Sequence, residues 1–274
     1  MHKLIKEVLL KKLGNPILNR LTDSAVIGYK EKIAFTTDSF VVNPLFFPGG
    51  DIGKLAIAGT INDLVMSGAV PEYLSLALII EEGLDQKILE RVVDSISFYA
   101  RQAGVSIVTG DTKVVERSAA DKLFIIVSGI GRVMAASKLA IENISIGDAV
   151  IVTGNIAEHG MAVLAKRKEL GLGFNIKSDC QALNGLILPL LKRNRGIKFM
   201  RDPTRGGVAT TLNEIAQGTN LGIIIEEKSI PISEKVRAAS ELLGIDPLYV
   251  ANEGKALLVV SAKEAIRVIG FLHR

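Results

Sequence analysis

The chain has 274 residues, enough for two domains of ordinary size. With 48% apolar and 23% charged residues it reads as a folded globular protein, which excludes a disordered or fibrous chain. A formal net charge of +4, spread without a basic block, is too weak and diffuse to point to a nucleic-acid partner.

A single cysteine, Cys180, excludes an intramolecular disulfide and a cysteine-rich zinc site, and the histidines form no metal-binding motif. The opening segment MHKLIKEVLLKKLG places Lys or Glu every three to four residues, as in an amphipathic helix rather than a signal peptide. LSLALII at 74–80 is too short to span a bilayer, so a cytoplasmic protein without a membrane partner is expected.

Beyond that first helix, IAFTTDSFVV at 33–42 predicts a strand, followed by a turn and a helix through DIGKLAIAGTINDLVMSGA that Asp51 is placed to cap. Strands are predicted at 73–80, 105–111 and 122–133, with an amphipathic helix from Gln86 closed by Gly104. The segment 141–154 reads as a joint, and AVIVTG begins a new strand–glycine–helix unit. A helix is expected from Cys180 to Lys192, and FMRDPTRGG at 199–207 reads as a loop. Then follow a helix in VATTLNEIAQG, a strand in LGIIIEE, a helix in SEKVRAASELLG, a strand in ALLVVS and a closing helix in KEAIRVIGFLHR. The fold class is therefore α/β (α+β), with domains over 1–144 and 145–274.

The chemistry-bearing residues are acidic side chains in apolar or glycine-rich surroundings: Asp23, Asp38, Asp63, Asp111 and Asp202. Such carboxylates can gather Mg²⁺ together with phosphate oxygens, or they can cap helices and turns. Asp63 stands apart, because TINDLVM has too few other charges to be a solvated face. GGDIG at 49–53 and RDPTRGG at 201–207 each lead into a helix, where backbone N–H groups face an anion, and Arg201 and Arg205 add charge. Neither a GxxxxGK[ST] nor a GxGxxG motif is present. His159, opening a helix beside Gly160, reads either as a phosphate or proton-transfer group or as a cap. Cys180 reads as a buried structural thiol, while Asn252 and Glu253 of NEGK are candidates for orienting a ligand or meeting the other half.

FTTDSFVVNPLFFPGGDIGKLAIAGTINDLVMSGA, GVSIVTGDTKVVE, GDAVIVTGNIAEHGMAVLAKRKELG, MRDPTRGGVATTLNEIA and ELLGIDPLYVANEGK, in this order, resemble the HypE family of hydrogenase maturation factors. That family lies within the PurM-like, aminoimidazole ribonucleotide synthase-related superfamily. The resemblance implies a two-domain PurM-like architecture with an N-terminal dimerisation domain. It implies ATP-dependent dehydration of a C-terminal cysteine S-carboxamide to S-cyanate, for the cyanide ligands of [NiFe]-hydrogenase iron. It also implies Mg²⁺ on Asp23, Asp38, Asp63 and Asp202, with Asp111, Arg201, Arg205, Gly206 and Gly207 joining them around the nucleotide. The implied partners are a second copy, the carbamoyltransferase HypF and the HypC–HypD scaffold. Family members have a glycine-rich start and a cysteine tail that these 274 residues lack, so the chain is expected to be unable to complete the reaction alone. The alternative functions are a catalytically silent ATP-binding or scaffold homologue and another PurM-like phosphotransfer enzyme.

Overall fold

The computed structural model describes residues 5–15, 29–134, 138–167 and 175–273. The opening segment is helical, with a π-turn over Ile5–Leu9 running into α1 (Leu10–Leu13). Four long strands then build the first sheet: β1 (Ile33–Phe40), β4 (Ala69–Glu81), β5 (Ser106–Val115) and β6 (Leu123–Val133), in the order β1-β6-β4-β5. β6 pairs antiparallel with β1 and β4. β4 and β5 pair in parallel, which requires a crossover, supplied by α3 (Gln86–Ala103). A small hairpin of β2 (Phe46–Phe47) and β3 (Gly50–Asp51) leads into α2 (Ile52–Met66).

Side-chain alternation sets the two faces of this sheet. Leu123, Ile125 and Val127 are buried on the face beneath α2, whereas Phe124, Ile126 and Ile130 are only half-buried on the other. On β1 the same alternation sends Thr36, Asp38 and Phe40 toward the α2 side and leaves Phe35 66% exposed.

α2 begins where expected: the Asp51 carboxylate accepts the N–H groups of Gly53 and Lys54, and its other oxygen accepts Ser95 Oγ from α3. Its residues are apolar on nearly every side, the signature of a helix surrounded by protein. The sheet and α3 cover part of it. The rest is covered from the second half by α5 (Asn184–Arg193) and β8 (Ile197–Arg201).

The second half contains a sheet of β7 (Ala149–Val152), β9 (Leu257–Val260) and β8, with β9 central and both pairings antiparallel. Around it lie α4 (Glu158–Arg167), α6 (Gly207–Thr219), α7 (Glu234–Leu243) and α8 (Ala262–Leu272). All four β9 residues are buried, and they face two ways. Leu258 and Val260 join the large core shared with α2 and the first sheet; Leu257 and Val259 join a second core with Met161, Val208, Leu212 and Val236.

The α/β class is that expected, with one main sheet in each half. Three local expectations differ. LGIIIEE forms no strand: Ile224 is 95% exposed and the segment pairs with no described strand. The helix expected from Cys180 starts only at Asn184, because residues 178–183 are held non-helical by hydrogen bonds to both halves. FMR at 199–201, expected as loop, ends strand β8. Among the described residues no helix is long and apolar enough to cross a membrane.

Candidate functional site

The two halves meet at a cleft of about 740 Å³. From the first half, Asp38 enters it from β1, and Gly59 and Asp63 from α2. Thr36 Oγ1 donates to Asp63 Oδ2 over 2.7 Å, and the Ser39 N–H donates to Asp38 Oδ1 over 3.2 Å. Gly59 is tightly enclosed, since a Cβ there would lie 2.9 Å from the Phe40 ring.

Opposite them, β8 delivers Arg201 and Asp202 to the cleft, and the following turn adds Thr204, Arg205 and Gly206 at the N-terminus of α6. Gly206 and Gly207 both have positive φ, 73° and 62°. At Gly207 a Cβ would stand 2.5 Å from the Leu248 carbonyl oxygen, so the turn closes only with glycine. Arg201 pairs with Glu214 at 2.9 Å on the cleft wall.

Four carboxyl groups of the cleft, Asp38, Asp63, Asp202 and Glu253, resist ionisation. Burial, then Asp63, raises the pKa of Asp38. Burial also raises Asp63, opposed by the Thr36 hydrogen bond and Arg201. Asp202 is pushed up to about 7 by burial and then by Asp63. Glu253, also lining the cleft, is raised well above the carboxylate range by burial and then by Asp202 and Asp179. Oxygen donors crowded in this way favour a proton or a hard cation in their midst. Among the described residues no three His, Cys, Asp or Glu side chains form a metal-holding group by themselves.

A buried scaffold stands behind these groups. Asn252 Oδ1 accepts the Ala157 N–H, and its Nδ2 donates to the carbonyls of Pro203 and Val250, binding the turn after β8 to the start of α4. This residue, a candidate ligand contact from sequence, is thus a fully buried internal clamp. His159 lines the cleft but is buried, with Nδ1 2.9 Å from Ser178 Oγ and its ring edge-on to Phe47. Burial lowers its pKa to about 4, so the imidazole is neutral near pH 7. Cys180 is 2% exposed and burial raises its thiol pKa well above the ordinary value.

Of the residues singled out from sequence, Asp38, Asp63, Arg201, Asp202, Arg205 and Gly206 come together in the cleft. Gly207 stands directly behind Gly206 at the start of α6. Asp111 lies exposed on β5, where its carboxylate accepts the Thr112 N–H, and it does not line the cleft. Asp23 falls in residues 16–28, outside those described. Sequence reasoning missed two buried polar groups, Asn62 and Asp179. Asn62 carried a signal, an amide beside Asp63 in an otherwise apolar helix, whereas nothing marked Asp179.

Residues 21–133 match the family of AIR synthase related proteins in its N-terminal domain, and residues 145–274 match its C-terminal domain. The carbamoyl dehydratase HypE of Rhizobium leguminosarum bv. viciae is 47% identical over 275 residues, covering 100% of this chain and 79% of that protein. The chain belongs to the HypE family. A crystal structure of the hydrogenase maturation protein HypE in complex with ATP superposes with a TM-score of 0.96 at 45% identity, covering 100% of this chain and 82% of that one. HypE in a crystal structure of the HypE–HypF complex superposes with a TM-score of 0.86 at 46% identity, covering 98% and 88%.

Proposed function

We propose that this chain binds ATP with Mg²⁺ in the cleft and uses it to dehydrate a cysteine S-carboxamide to the S-cyanate, as a HypE-type carbamoyl dehydratase. One observation carries the reading: Asp38 and Asp63 face the Arg201–Gly206 turn across one cleft, in a chain 45% identical to an ATP-bound HypE. Asp38 and Asp63 would hold the metal, with Asp202 facing them and water and phosphate oxygens completing the shell. Asp23 joins this proposed metal set on family resemblance alone; Asp111, which does not line the cleft, is left out of it. The start of α6, which no side chain caps, would receive phosphate oxygens together with Arg201 and Arg205.

Bound ATP with its Mg²⁺ supplies the phosphoryl group that turns the carboxamide oxygen into a leaving group. The amide oxygen then departs in phosphate, and both protons leave the amide nitrogen, so that the products are S-cyanate, ADP and phosphate. Glu253, which lines the cleft among these carboxylates, is the group proposed to exchange such a proton with the substrate. The thiol of Cys180 is too buried to carry the carboxamide.

The sheet face with exposed Phe35 and half-buried Phe124 and Ile126 supports a homodimer formed through the first half, and the HypE–HypF structure supports HypF as a partner. The HypC–HypD scaffold follows from the family only. The two family matches support a domain division near residue 144.

The test is calorimetry with ATP, with and without Mg²⁺, followed by incubation with a peptide ending in a cysteine S-carboxamide. ATP-dependent loss of one water from the peptide, with carboxamide ¹⁸O recovered in phosphate, is the expected result. Mg–ATP binding without any peptide product would select the silent scaffold reading instead.

A further inference from the structure

We infer that Asn62 and Asp179 are positioning residues that together fix Glu253 opposite the cleft carboxylates. The inference rests on the proposed reaction for what Glu253 does, but the grip itself is visible in the fold. All four backbone polar groups of Glu253 and Gly254 are held. The Asp179 carboxylate accepts the N–H of Glu253 at 3.3 Å and that of Gly254 at 3.1 Å. The Glu253 carbonyl accepts the Gln181 N–H at 3.3 Å and Asn62 Nδ2 at 3.4 Å, and the Gly254 carbonyl accepts Gln181 Nε2 at 3.2 Å.

Asn62 completes the grip from the other half of the molecule. It is 1% exposed on α2, directly before Asp63; its Nδ2 also donates to the Gln181 carbonyl, and its Oδ1 accepts the Leu183 N–H at 2.8 Å. One rigid helix therefore presents Asp63 to the cleft and holds the backbone of Glu253. Asp179 holds the same backbone from within the second half, in a segment anchored to the first half by the Ser178 N–H donating to the Pro48 carbonyl. The Asp179 side chain is fully buried, with Lys255 Nζ 3.6 Å from Oδ2 and also 3.7 Å from Glu158. The approach is close enough that a Cβ at Gly254 would lie 1.9 Å from the Asp179 carbonyl oxygen, so no side chain fits there. A buried amide and a buried carboxylate, both fully engaged, fix a position more tightly than apolar packing does.

The experiment compares wild type, Asn62→Ala, Asp179→Asn and Asp179→Ala. Asp179→Ala leaves Lys255 buried without that partner and can fail to fold; Asn62→Ala and Asp179→Asn, which keeps one acceptor, maintain the test. Three quantities are read: amide hydrogen exchange at Glu253 and Gly254, Mg–ATP affinity, and kcat and KM for the S-carboxamide peptide. The expected result for Asn62→Ala is faster exchange at Glu253 and Gly254 and a kcat lower by on the order of 100-fold, the scale of a small misplacement. The Kd for Mg–ATP and the KM for peptide should stay within about twofold, since neither variant touches the binding groups. Asp179→Asn should fall between wild type and Asp179→Ala. Unchanged exchange and kcat in Asn62→Ala and Asp179→Asn would overturn the inference, as would a loss of Mg–ATP affinity in step with kcat. If wild type yields no S-cyanate, the reaction is wrong; faster exchange at Glu253 and Gly254 with Mg–ATP affinity intact would still support the grip, and unchanged exchange would overturn it.

Discussion

The Thr36 hydroxyl donates to Asp63 across 2.7 Å, joining the first strand to the helix at the floor of the cleft. The bond favours the ionised carboxylate against the burial that opposes it and fixes which oxygen is left for a cation. Thr36→Val should weaken Mg–ATP binding by roughly tenfold, the worth of one hydrogen bond to a charged group. Asp63→Asn should go further and make ATP affinity the same with and without Mg²⁺. Calorimetry checks both, and an unchanged Mg²⁺ dependence in Asp63→Asn would remove Asp63 from the site.

Asp202 predicts a pH dependence in the metal-free protein. Its pKa rises from an ordinary 3.8 to about 7 on folding, so the folded state binds the proton more tightly. Its contribution is fully present below 3.8 and is lost as pH rises through about 7. Asp202→Asn should match wild type in stability near pH 4 and exceed it at pH 8, by at most about 4 kcal/mol. Urea unfolding in EDTA at several pH values measures the difference.

His159 works in the opposite direction. Its pKa falls from 6.5 to about 4 on folding, so its contribution is present above 6.5 and is lost as pH falls through about 4. His159→Gln should flatten that part of the acid limb. In wild type the His159 ring proton observed by NMR should show no titration between pH 5.5 and pH 8, a range that lies wholly above about 4.

Cys180 should resist iodoacetamide in the native protein, being 2% exposed with its thiol held protonated by burial. Labelling should rise steeply only across the urea unfolding transition. Fast native labelling would reopen Cys180 as a carrier of the carboxamide.

The exposed sheet face predicts association. Phe35, 66% exposed, sits where β1 bounds that face. Phe35→Glu should convert a dimer to a monomer by light scattering while leaving the far-ultraviolet circular dichroism unchanged. A wild-type monomer across micromolar concentrations would exclude the dimer.

Much of the fold was legible because its signals are local. The alternation in KLFIIVSGIGRV and the Asp51 cap lie within a few residues of the elements they specify. The cleft carboxylates were legible for a related reason: Asp63 is a charge within an apolar helix. LGIIIEE misled because a β-branched run signals strand propensity, and a strand also needs a partner edge. The segment 178–183 misled because its conformation is set by Asn62 and Pro48, more than a hundred residues away in sequence. Asp179 and Glu253 meet only in three dimensions, so no window of sequence shows the pair.

The burial of α2 on nearly all sides has a consequence for synthesis. Its cover comes partly from α5 and β8, which follow it by about 120 residues or more; at roughly 5–20 residues per second the helix waits about 6–25 s on the ribosome with an apolar flank open. The nascent first half is therefore a natural client for a chaperone that shields greasy helices. A codon change or a chain interruption between residues 67 and 183 should show first as aggregation of newly made protein, before any loss of activity in the molecules that reach the finished fold.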